Sequence, residues 1–341
     1  MRVKKIYWTI AAMTLFVSFV STTNTPLTFN IPKGWPQPEY DFSKNPLTEE
    51  GFRLGRHLFY EPMLSRDNTI SCASCHLQAS AFTHVDHAVS HGIEGKFGTR
   101  NSPSLMNLAW QKTFMWDGGV NHLDVQPLSP ITSPVEMDEK LDNIAKKLNT
   151  SVKYKTLFKK AFGDSVVTGQ KILLALSQFE VQLISSNSKY DKFIRKESGG
   201  EFCEQERNWY RLFTANCVSC HKEPLFTNGN YENNGLPVDT SYNDVGRMKI
   251  SLRASDSLKF KVPTLRNVQF SFPYMHDGRF KELLDVVNHY SNGIVQSKTL
   301  SPQLQKPIVL NANEKIDLVA FLLTLSDTTF TMNKRFGYPR E

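Results

Sequence analysis

Two C-x-x-C-H runs, one in SCASCH at 71–76 and one in NCVSCH at 216–221, constrain this chain more than any other feature. Two thiols three positions apart can add across the two vinyl groups of a haem, and the imidazole that follows falls beneath the iron as its proximal ligand. Cys72, Cys75 and His76 are therefore expected to hold one c-type haem, and Cys217, Cys220 and His221 a second. Zinc would want further Cys or His at ligand spacing nearby, and a redox C-x-x-C would want a thioredoxin-like βαβ setting; neither surrounds these runs. Of the five cysteines only Cys203 is left over. It reads as an unpaired structural thiol, with intermolecular pairing as the alternative.

The chain is long enough, at 341 residues with 40% hydrophobic content, for two domains with cores of their own. Its net charge of +7 is spread without a dense Lys/Arg block. That pattern describes a solvated surface suited to an acidic redox partner and excludes nucleic acid as a partner. The start, MRVKKIYWTIAAMTLFVSFVSTT, is basic and then apolar for about 15 residues, too short for a comfortable bilayer span. Residues 1–25 read as a secretory signal, with the mature chain starting between Thr22 and Thr28. An uncleaved anchor is the alternative, and the only route to a membrane. Export agrees with haem attachment, so the expected location is the periplasm.

Thr48 is placed to cap a helix whose first turn carries Glu49 and Glu50. Apolar stripes follow at Leu141, Ile144, Ala145, Leu148, at Ile172, Ala175, Leu176, Phe179, and at Ile316, Val319, Ala320, Leu323. Strand-like alternation is scarce, and segments 77–136 and 222–275 are rich in Gly, Pro, Asn and Ser. The expected fold is mainly α, with long loops around two cofactors. KESGGEF at 196–202 marks a boundary between an amino-terminal unit, 40–195, and a carboxy-terminal unit, 200–335, each with one haem motif.

The order of motifs resembles the bacterial di-haem cytochrome c peroxidase superfamily, which includes the MauG-type enzymes that oxidise proteins. The first half carries GRHLFYEPMLSRDNTISCASCH, GTRNSPSLMNLAW, FMWDGG and QPLSPITSPVEM; the second carries LFTANCVSCH, VPTLRNV, PYMHDGRF and VVNHYSNG. The resemblance implies two fused cytochrome c-like domains, with a peroxidatic haem in the first and an electron-transfer haem in the second. It implies that Glu136 is the acid-base group of the first site, with Gln126 and Pro130 beside it, and that Trp116 lies between the two haems. A carboxylate near the distal face suits that role because it can move a proton between peroxide oxygens. A calcium ion at the domain junction is implied too, with Asn101, Ser271 and Pro273 as oxygen donors.

His91 stands close to where relatives that need reductive activation carry a removable distal histidine, although its loop is one residue short; His84 and His87 are rivals, and His276 reads as a structural residue near the second haem. For the sixth ligand of the second haem the resemblance points to Tyr290, as in the MauG-like branch, with Met275 as the rival. The expected activity is reduction of hydrogen peroxide with electrons from a small c-type cytochrome or cupredoxin. The alternative is MauG-like, peroxide-dependent oxidation of aromatic residues in a partner protein. A non-catalytic di-haem carrier is weaker, because a carrier has no use for a Glu136 pocket.

Overall fold

The structure is a computed structural model that describes residues 24–340. Nearly all of the expected leader lies outside these residues. Among them, no helix is long and apolar enough to cross a membrane.

The fold is built from helices joined by long loops. In chain order they are α1 (Glu49–Phe59), α2 (Cys72–Cys75), α3 (Leu128–Thr132), α4 (Leu141–Thr150), α5 (Val152–Phe162), α6 (Gly169–Glu180), α7 (Lys189–Arg195), α8 (Glu204–Asn216), α9 (Met248–Ser251), α10 (Leu283–Asn288), α11 (Ala312–Leu323) and α12 (Thr328–Thr331). The one sheet among the described residues is a two-residue antiparallel pair, β1 (Tyr231–Glu232) and β2 (Phe260–Lys261).

The expected start of α1 is present: Thr48 accepts from the Gly51 N–H, and Glu49 and Glu50 face the positive end of the helix dipole. This helix lies directly on α6. A Cβ at Gly55 would sit 1.9 Å from the Ala175 carbonyl oxygen, so glycine is what lets the two backbones meet. The stripe Ile172, Ala175, Leu176, Phe179 is fully buried there, with Phe52 and Phe59 against Phe179.

The stripe assigned to α11 is corrected. Ile316 and Leu323 are exposed, and the face that packs on α8 carries Phe321 and Leu322, continued by Leu325. The run IDLVAFLLTL is apolar on nearly every side, so spacing alone did not select its inner face.

Two apolar cores result. The first gathers α1, α4, α5 and α6 around Phe52, Phe59, Phe82, Phe158 and Phe179. The second gathers α8 and α11 around Trp209, Phe213, Phe226 and Phe321. The chain's end returns to the first core: Phe330 and Phe336 are buried in it, and Tyr60 donates to the Phe336 carbonyl at 2.9 Å.

Candidate active site

Both C-x-x-C-H runs fold as a helical turn that closes on its histidine. The His76 N–H donates to the Cys72 carbonyl at 3.0 Å, and the His221 N–H to the Cys217 carbonyl at 2.9 Å. His76 Nδ1 lies 2.8 Å from the Phe82 carbonyl oxygen, and His221 Nδ1 3.2 Å from that of Phe226. An Nδ1–H donated to a carbonyl fixes the ring's orientation and leaves Nε2 as a free lone pair. Burial lowers both imidazoles to about 4, which keeps them in the neutral form that ligates iron. Burial also pushes the Cys72 thiol well up and the Cys217 thiol to about 12, so neither rests as a reactive thiolate. Paired thiols and an oriented, neutral imidazole in apolar surroundings fit a covalently attached haem at both turns.

The segments after the two turns repeat each other at a constant offset. Pro103, Asn107, Met115, Asp117 and Gly118 correspond to Pro263, Asn267, Met275, Asp277 and Gly278. Asn107 and Asn267 both take left-handed backbone, and their N–H groups donate to Leu183 and Leu325, just past α6 and α11 respectively. Met115 and Met275 are left-handed too, and each receives a side-chain amide on sulfur: Gln126 Nε2 at 3.7 Å from the Met115 Sδ, Asn234 Nδ2 at 3.5 Å from the Met275 Sδ.

Around the first turn the structure brings Cys75, His91 and Glu136 together. The Cys75 thiol donates to the His91 carbonyl at 3.3 Å, and the Ile93 N–H to the Glu136 carbonyl at 2.9 Å. A Cβ at Gly92 would lie 2.4 Å from the Glu136 Cα, so the 90–93 loop can press on Glu136 only as glycine. Burial raises the Glu136 carboxyl above its ordinary value, partly countered by bonds from the Ser90 and Ser133 hydroxyls. Pro130 accepts from the Met137 N–H at 3.2 Å, which fixes α3 beside Glu136. The His91 ring stacks on His87 at 5.0 Å, and His87 lies 5.2 Å from His84, with buried Nδ1 atoms on His84 and His87 that have no partner among the described residues.

Trp116 stands where the halves meet. Its indole Nε1 donates to the Asn101 carbonyl at 2.8 Å, and its own carbonyl accepts from the Lys261 N–H of β2 at 2.7 Å. The Asn101 N–H donates to the His276 carbonyl at 2.7 Å, which draws it to the segment holding Ser271 and Pro273. His276 stacks on Phe260 at 3.7 Å. Arg100 ties the same seam, bonding Asp117 at 2.6 Å and Asp244 at 2.8 Å.

At the second turn, Tyr290 falls in a π-helical turn, His289–Gly293, that continues α10. Wide turns of this kind are rare and occur frequently at functional sites. The Tyr290 hydroxyl is pushed up to about 12 by burial, bonds the Asn234 side chain, and lies within the field of Cys217 and Cys220. Tyr290 and Met275 therefore converge on one amide.

A family model described as di-haem cytochrome c peroxidase matches residues 49–199. The methylamine utilization protein MauG of Methylorubrum extorquens is 34% identical over 303 residues, covering 87% of this chain and 83% of the relative. The chain belongs to the di-haem cytochrome c peroxidase and MauG superfamily. The cytochrome c551 peroxidase of Nitrosomonas europaea is 32% identical, covering 80% of this chain and 79% of the relative. Among solved structures, a MauG-like protein associated with microbial copper homeostasis superposes with a TM-score of 0.83 at 31% identity, over 92% of this chain and 99% of that one. Membership makes the chain an oxidoreductase that acts on peroxide, with haem c as the family's cofactor.

Sequence reasoning missed Asn234, the Ser90 and Ser133 hydroxyls, and Glu180, a buried acid at the end of α6. The repeat of FMWDG in YMHDG was the signal for Met115 and Met275 as equivalent positions. Glu180 had no such signal, because it sits beside the apolar stripe that hides it.

Proposed function

We propose that this chain is a di-haem peroxidase that reduces hydrogen peroxide to water, taking electrons from a small c-type cytochrome or cupredoxin at the carboxy-terminal site and passing them to the amino-terminal one. The observation that carries this reading is the half-buried Glu136 carboxyl, raised by desolvation, beside Cys75 and His91. Units 40–195 and 200–335 each hold one haem, through Cys72, Cys75 and His76 and through Cys217, Cys220 and His221. Haem, when bound, supplies an iron that exchanges electrons and binds peroxide.

The chain's own groups do the rest. His76 and His221 present Nε2, held by the carbonyls of Phe82 and Phe226. Glu136 takes the proton from one peroxide oxygen and returns it to the other, so that the departing oxygen leaves as water. Gln126 orients the peroxide, and His91 is in reach of the same space. Trp116 lies on the route between the sites. The side-chain oxygen of Asn101 and the carbonyls of Ser271 and Pro273 are a hard-oxygen set that suits a calcium ion. The leader directs the chain to the periplasm.

A second reading, MauG-like oxidation of aromatic residues in a partner protein, is favoured by the position of Tyr290 beside Cys217 and Cys220. A phenolic oxygen is a hard donor that favours the ferric state and makes a poorer resting electron store than a thioether.

The test is steady-state oxidation of a reduced small cytochrome c by hydrogen peroxide. Rapid turnover by the parent is expected, with a loss of about two to four powers of ten in Glu136→Gln at unchanged haem content. Because Glu136 is raised and acts as base, turnover should fall on the acid side at a pH above the ordinary carboxylate value of about 4.3. A sluggish parent would move the chain to the MauG-like reading, and an unaffected Glu136→Gln would remove Glu136 from the chemistry.

A further inference from the structure

Glu180 ends α6 inside the first core at 2% exposure, and its Oε2 has no hydrogen-bond partner among the described residues. An isolated buried carboxyl is costly to keep, and nothing in the mechanism above uses it. Asp124 and Tyr40 lie within its field, and its charge is felt by Cys72 in the first attachment turn. The Tyr40 hydroxyl donates to Asp124 Oδ1 at 2.6 Å, accepts from Asn45 Nδ2 at 2.9 Å, and lines a surface cleft of about 200 Å³ with Glu39 and His122. Other elements meet α6 with apolar or already paired groups: α1 with Gly51, Phe52, Gly55 and Phe59, although it also carries the buried His57, and α4 with Ile144 and Leu148, its Lys147 being held by Glu139 at 2.7 Å.

The repeat adds an independent observation. Leu183 and Leu325 receive equivalent bonds from Asn107 and Asn267, and three residues before each stand Glu180 in the first half and Leu322 in the second. Only the half with the Glu136 pocket buries an acid at this place.

We propose that Glu180 is the group that takes up a proton when the amino-terminal haem takes up an electron, supplied from the cleft by way of Tyr40 and Asp124. This rests on the reading that the Cys72–His76 turn carries a haem. The step balances: one electron from the donor reduces the iron, and one proton from solvent converts the Glu180 carboxylate to the acid. Reduction removes a positive charge from the site, which weakens the hold on a nearby carboxylate and favours its neutral form. Peroxide reduction consumes two protons with two electrons, and a carboxyl that stores one of them delivers both kinds of charge to the same side of the molecule.

The experiment is spectroelectrochemical titration of the amino-terminal haem in the holoprotein across a pH window centred on the raised value of about 8 that burial gives Glu180. The expected result is a midpoint potential that falls as pH rises, by at most about 59 mV per tenfold change in proton activity, and a flat response in Glu180→Gln and in Glu180→Leu, the residue found in the second half. A flat parent, or a slope undiminished in either variant, overturns the proposal; so does a slope that is lost in Glu136→Gln but kept in Glu180→Gln. Should neither Glu180 variant fold, the parent's redox infrared difference spectrum decides. A protonated-carboxyl band gained on reduction and shifted by ¹³C-glutamate upholds the assignment, and its absence ends it. Failed peroxide turnover with the Glu180-dependent slope intact would strike the peroxidase reading alone.

Discussion

Between Pro103 and Asn107 the first half buries Met106; between Pro263 and Asn267 the second half puts Arg266 in its place. Both positions are closed to solvent, yet Met106 packs in an apolar cluster while Arg266 grips Asp191 by two bonds of 2.8 Å and donates to the Pro224 carbonyl. The same substitution of character recurs around the repeat. Trp116 corresponds to His276, Gln126 on Met115 answers Asn234 on Met275, and Glu180 answers Leu322. One backbone plan therefore holds the two C-x-x-C-H turns in the same way, with an amide on a methionine sulfur in each half, and the side chains across from them differ: the Glu136 carboxyl in one half, the Tyr290 phenol in the other.

The largest effect comes from giving the second half the first half's residue. Arg266→Met leaves Asp191 buried without its partner and should cost about 3–5 kcal/mol in chemical denaturation. Adding Asp191→Leu should recover only part of that loss, because an apolar pair of similar bulk can replace a buried ion pair but the Ser188 N–H and hydroxyl lose their acceptor at the start of α7. Equal stability of Arg266→Met and the parent would mean that the two halves are interchangeable here.

The next contrast lies between the two residues that meet at Asn234. Tyr290→Phe should change the ferric spectrum of the second haem or open its iron to added ligands, whereas Met275→Leu should leave the spectrum intact. A weak red band of methionine-ligated ferric haem, abolished by Met275→Leu, would reverse the assignment and make the second half an ordinary electron-storing site.

The smallest effect belongs to the fifth cysteine. Cys203 is exposed at the start of α8, apart from both turns. Cys203→Ser should change stability by less than about 0.5 kcal/mol and leave haem content as it was. A shift from dimer to monomer in that variant would assign the thiol to an intermolecular bond instead.

Much of this was legible in the sequence because the relevant signals are local. Thr48 with Glu49 and Glu50 encodes a helix start that is present as expected, and each C-x-x-C-H run folds as a local turn closed by its own backbone bonds. The α6 stripe is buried as read, although the apolar Leu173 and Leu174 lie between its positions, and the α11 stripe is not, because its other faces are apolar as well. What the sequence hid are contacts between distant segments. The Ser90 hydroxyl reaches Glu136, Asn234 reaches both Met275 and Tyr290, and Asp124 reaches Tyr40 across 84 positions. Glu180 was hidden for a different reason: an acid at the end of an apolar helix looks like a solvated terminus until the fold closes over it.

Both turns are expected to carry covalent haem, one in each half. Pyridine haemochrome on the denatured, acid-acetone-extracted chain, followed by mass analysis of its peptides, tests this most directly. Two haems per polypeptide are expected, one on the peptide holding Cys72 and Cys75 and one on the peptide holding Cys217 and Cys220. A count of one or none, or haem mass missing from either peptide, would contradict it.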